Sequence, residues 1–106
     1  MANSNTAGFS VGSTSTALAP RNPTRAALLI QNNSLINPVF VCFGSNNNAT
    51  VLAGFQIIPG GTLEFGPSVG GPYRVSQGIS PGGQVPYGDI AAITAGGTAN
   101  VVVMEA

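Results

Sequence analysis

Ile90-Ala91-Ala92-Ile93-Thr94, then Ala95-Gly96-Gly97-Thr98, then Ala99-Asn100-Val101-Val102-Val103-Met104: these residues decide the fold. Two runs rich in Ile and Val flank four small residues, and Gly-Gly supplies the positive φ that a tight turn needs. The stretch reads as two strands joined in a hairpin. The same punctuation recurs along the chain. Runs of Val, Ile, Phe and Thr alternate with clusters of Gly, Pro, Asn and Ser, which places strands at 9–18, 26–32, 39–43, 51–58, 62–66, 90–95 and 99–105. Ile58-Pro59-Gly60-Gly61 has Pro and Gly in turn-forming order, and Asn46-Asn47-Asn48 marks another turn because Asn tolerates the left-handed region. No window carries an apolar stripe at helical spacing with charge opposite. The expectation is an all-β chain, a small single-domain antiparallel β-sandwich or jelly roll of about seven or eight strands.

The 106 residues suit one domain. A polar N-terminal arm is expected at 1–8, a single sandwich domain at 9–106, and within it a long loop at 66–88 with seven Gly and four Pro. That loop holds both tyrosines and one arginine. Tyr73-Arg74-Val75 is the piece of it able to pair at a sheet edge.

Charge is what the composition lacks. Ionisable side chains are 6% of the chain, against about 25% in ordinary proteins. Arg21, Arg25, Arg74, Glu64, Asp89 and Glu105 sum to zero, while Ser, Thr, Asn and Gln number 31. Without a basic surface, binding of nucleic acid through its phosphates is excluded. The longest apolar runs, 26–30 and 39–43, are far too short to span a membrane as a helix, so no membrane partner is expected. The start of the chain has neither the basic nor the apolar region of a secretory signal, so the expected place of synthesis is the cytoplasm.

The residue types that carry chemistry are scarce. There is no His, which removes the Ser-His-Asp and Cys-His arrangements. Glu64, Asp89 and Glu105 lie on separate elements and read as solvated strand-edge charges rather than an acid–base pair. Cys42, the only cysteine, sits in an apolar strand without a cationic neighbour and reads as a small buried hydrophobe. No phosphate-binding glycine motif is present. The chain is therefore expected to be no enzyme, with no cofactor and no metal. Tyr73, Arg74 and Tyr87 are the candidate partner contacts, being of the types enriched at binding hot spots. Arg21 and Arg25 flank the entry to the strand at 26–32, where their stems would cover its end while the heads stay wet.

Val39-Phe40-Val41-Cys42-Phe43 and Val101-Val102-Val103-Met104 are apolar on both faces. Either they lie centrally with one face lightly covered, or a neighbouring subunit buries the second face. With a mean hydropathy of +0.31 and six charges, the second arrangement is favoured, and a homo-oligomer is expected.

One ordered set of segments goes beyond composition. A polar start is followed by Asn22-Pro23-Thr24-Arg25-Ala26-Ala27-Leu28-Leu29-Ile30-Gln31-Asn32-Asn33-Ser34, then Val39-Phe40-Val41-Cys42-Phe43-Gly44, then Ile57-Ile58-Pro59-Gly60-Gly61-Thr62-Leu63-Glu64-Phe65, and a final Val101-Val102-Val103-Met104-Glu105-Ala106. Over nearly the whole chain this order resembles the small β-sandwich or jelly-roll structural proteins of tailed bacteriophages, of the capsid decoration (cement) or head-fibre type. The resemblance implies a non-enzymatic virion protein that stabilises the shell, as a trimer in contact with the major capsid protein or other virion proteins. The alternative it leaves open is a carbohydrate- or receptor-binding module of a head fibre or tail, with the tyrosines as stacking faces.

Overall fold

The computed structural model describes residues 5–25, 27–65, 73–75 and 87–105. They form nine strands: β1 Asn5–Val11, β2 Thr16–Ala19, β3 Leu28–Asn32, β4 Val39–Phe43, β5 Phe55–Ile57, β6 Thr62–Phe65, β7 Tyr73–Val75, β8 Ile90–Ile93 and β9 Ala99–Glu105. All pairings are antiparallel. One sheet has the order β1-β9-β3-β6-β7, the other β2-β8-β4-β5.

The pairings nest. β1 pairs with β9, β2 with β8, β3 with β6 and β4 with β5, so the chain is a long folded-back ribbon. Rolling that ribbon sets β9 beside β3 and β8 beside β4, which closes two sheets face to face. This is the jelly roll, with β7 added at one edge. Alternation explains the core. In β3, Leu28, Ile30 and Asn32 are buried and Leu29 and Gln31 are half-exposed; in β9, Ala99, Val101 and Val103 point inward. With Val11, Val39, Val41, Ile57, Leu63, Phe65 and Ile90 they fill the space between the sheets. Each such aliphatic side chain contributes about 1.5–3 kcal/mol on burial.

Several expectations are corrected. The stretch 90–104 is no hairpin: β8 and β9 lie in different sheets, and Thr94–Thr98 arches between them, with Gly97 at φ 70°. The expected strand 9–18 is two strands, because Gly12-Ser13-Thr14-Ser15 crosses from one sheet to the other. Of the expected polar arm 1–8, residues 5–8 belong to β1, paired with β9 through Asn5↔Glu105, and residues 1–4 lie outside the described residues. An edge strand satisfies its backbone by pairing on one side and does not require apolar side chains throughout. Positive φ at Leu52 and Gly54 shortens the strand expected at 51–58 to Phe55–Ile57. Within 66–88, Tyr73–Val75 does pair with β6 and residues 87–88 are placed; the remainder lies outside the described residues.

Of the two-faced strands, β4 is covered within the chain. Phe40, Ala91 and Ile93 on the outer face of the four-stranded sheet cluster with Ala49, and Cys42 packs beside them. Residues 44–54, between β4 and β5, fold back over that face. Ser15 Oγ holds this cover by accepting from Ala49 N–H (2.9 Å) and donating to Asn47 Oδ1 (2.8 Å). The second apolar face of β4 thus needs no neighbouring subunit. On β9 the outer residues Val102 and Met104 are only partly covered.

Candidate functional site

The jelly roll gathers its connections at two ends of opposite character. At the first end lie 12–15, 33–38, 58–61 and 94–98, tied together through the backbone. Thr94 N–H donates to Gly12 O, Asn32 N–H to Gly61 O, Gly60 N–H to Asn32 O and Asn33 N–H to Asn100 O, all at 2.7–3.0 Å. Pro59-Gly60 makes the expected turn, with Gly60 at φ 77° and Gly61 N–H bonded to Ile58 O.

Asn32 organises this end. It is fully buried; its Nδ2 donates to Asn37 O (2.8 Å) and Ile57 O (2.9 Å), and its Oδ1 accepts from Ser34 N–H (2.9 Å). Ser34 Oγ in turn accepts from Ile36 and Asn37 N–H, while Asn37 Nδ2 donates to Thr98 O (2.7 Å). A loop held at so many points nonetheless presents Leu35 and Ile36 to solvent at 93% and 79% exposure, and the 58–61 connection at the same end carries half-exposed Ile58. None of the four connections contains an ionisable residue.

Arg21, Arg25, Asp89 and Glu105 lie toward the second end. Arg21 and Arg25 are in the β2–β3 connection, Asp89 precedes β8, and Glu105 closes β9. Glu64 is next to the last residue of β6, opposite Arg74 of β7 in the register. Arg25 does not keep its head wet as expected. Its side chain is buried, paired through Nε with Glu105 Oε2, and donates to Gly88 O (3.2 Å) and Pro20 O (3.0 Å). The cation had to be buried there because the β2–β3 connection, the 87–89 segment and the end of β9 converge on it. Glu105 is accordingly an ion-pair partner rather than a solvated edge charge. Asp89 accepts weakly from Asn47 N–H (3.4 Å).

Of the three candidate contacts, Tyr73 and Arg74 occupy the edge strand β7, opposite Phe65 and Glu64. Tyr87 stands more than half exposed, with the Arg21 guanidinium 5.5 Å from its ring centroid. Its segment is pinned on three sides, by Asn22 N–H on Tyr87 O, Arg25 on Gly88 O and Gly44 N–H on Asp89 O. Two residues along the chain, Asp89 helps to line an open groove of about 480 Å³, together with Leu18, Ala19, Pro20, Asn46, Asn47 and Ile90. Sequence reasoning missed the Arg21–Tyr87 stack, the groove and the exposed Leu35-Ile36 pair. Consecutive positive φ at Asn46 (55°) and Asn47 (59°) was the one legible sign, in the Asn triplet.

Among the described residues no group of three or more His, Cys, Asp or Glu side chains comes together. Cys42 Sγ lies 3.6 Å from Ala53 O, next to the cover. The chain matches no family model, and comparison with curated proteins and solved structures gives no significant match.

Proposed function

We propose that this chain is a non-enzymatic structural protein of a bacteriophage virion, a capsid decoration (cement) protein that acts as an oligomer and adheres to the shell. The observation that carries the reading is the polarity of the molecule. One end gathers Arg21, Arg25, Asp89 and Glu105 and pairs Arg25 with Glu105, whereas the other is free of charge and displays Leu35, Ile36 and Ile58 on a locked scaffold. A rigid apolar end binds without the entropy cost of ordering a loop. Its contacts exist only in the assembled particle, so they stabilise the shell by linkage. The jelly-roll topology agrees with this reading. The test is add-back: particles stripped of the protein are mixed with it and heated. Binding that raises the temperature at which the shell opens supports the proposal; failure to bind, or binding without that gain, contradicts it.

A second reading has its own observation. Tyr87 stacked with Arg21, two residues before Asp89 of a groove also lined by Asn46 and Asn47, offers a ring face and polar groups of the kind that hold a sugar. Glycan-array binding abolished by Tyr87→Ala would favour the receptor-binding alternative.

A further inference from the structure

Among the described residues the two open sheets present four edges, and three of them are blunted. β7 has three residues, carries Arg74 and follows Pro72. β5 also has three residues, with Pro59 two positions beyond it. β2 has four, is broken by a register shift between Ala17 and Ala19, and runs into Pro20. Short length, bulges, charge and proline are the devices by which sheet edges avoid pairing with other chains.

β1 has none of them. Its seven residues keep an unbroken register against β9 from Asn5↔Glu105 to Val11↔Ala99, without a charge or a proline. Thr6, Ala7, Gly8 and Ser10 are exposed, and a Cβ at Gly8 would meet nothing within 4 Å. In an antiparallel pair alternate residues turn N–H and C=O away from the partner, so roughly three or four residues of β1 offer both groups outward along about 24 Å of strand.

We infer that β1 pairs with β1 of a second copy, antiparallel about a two-fold axis at Gly8, fusing two five-stranded sheets into one of ten strands. The strand is complementary to itself in this register. Thr6 faces Ser10 of the second copy, a hydroxyl pair; Ala7 faces Phe9; and Gly8, without a side chain, faces itself at the axis. A two-fold contact of this kind is isologous and closes on itself. The inference stands apart from the virion reading, since it concerns the isolated chain.

Light scattering on a size-exclusion column, over a wide range of protein concentration, measures the outcome. The expected mass is that of a dimer. Thr6→Lys with Ser10→Lys sets like charges opposite each other twice across the axis, and is expected to raise the dissociation constant about tenfold. Thr6→Glu with Ser10→Lys sets opposite charges there and is expected to retain the dimer. Both variants place their substitutions on exposed sites, and circular dichroism checks that each folds. A monomer at every concentration overturns the inference, as does a trimer, or a dimer that responds equally to both variants.

Discussion

Asn32 shows how one buried polar side chain fixes a surface. Its amide supplies both donors and an acceptor to backbone groups of 34, 37 and 57, so replacing it takes a hydrogen-bond partner from each of them. Asn32→Ala is expected to cost about 3 kcal/mol in chemical denaturation. Asn32→Asp is expected to cost more, because a carboxylate would face two carbonyl oxygens. Arg25 is the corresponding residue at the opposite end. Arg25→Ala removes the partner of a largely buried Glu105 and two donors to backbone carbonyls, and should lower stability by about 3 kcal/mol. Loss below 1 kcal/mol in either case would mean that the site relaxes around the gap.

At the scale of the element, the segment 44–54 is the piece that makes β4 and β8 buried on both faces. Gly54 ends it at φ 79°, where a Cβ would stand 2.1 Å from Val41 O and 2.9 Å from Cys42 Sγ. Gly54→Ala therefore combines backbone strain with a clash against fixed backbone, and should destabilise by about 3 kcal/mol. It should also lift the cover, so that Phe40 and Ile93 become accessible and a hydrophobic dye binds under native conditions. Unchanged dye binding would place the cover's anchorage elsewhere, at Ser15. The element scale is also where the sequence was most legible. β4 stands at the expected 39–43 because its run of Val and Phe is bounded by Pro38 and Gly44, and β9 spans the expected 99–105. What local pattern could not carry was which sheet each strand joins. A Gly-Gly turn looks the same whether it closes a hairpin or arches between sheets, so Thr94–Thr98 was misread. The same limit hid the burial of Arg25, which depends on Glu105, 80 residues away. The candidate site was legible only at Tyr87; its partner Arg21 and the groove come from connections remote in sequence.

Across the whole molecule, the segregation of charge turns a small jelly roll into an object with two different ends. Arg21, Arg25, Asp89 and Glu105 cluster at one end, and the other offers aliphatic side chains on a scaffold with no ionisable group. Adhesion through such an end draws on apolar burial and scarcely on Coulomb attraction, so ionic screening has little to act on. Leu35→Ser together with Ile36→Ser should weaken attachment while leaving the fold intact, because both side chains are exposed. The most direct measurement of the central claim is gradient sedimentation of purified particles at low salt and at about 1 M NaCl, with the protein quantified in each fraction. The account predicts that the protein travels with the particles in both gradients and is lost from them in the Leu35→Ser, Ile36→Ser variant. Protein found free at low salt, or released by the high-salt gradient, would contradict it.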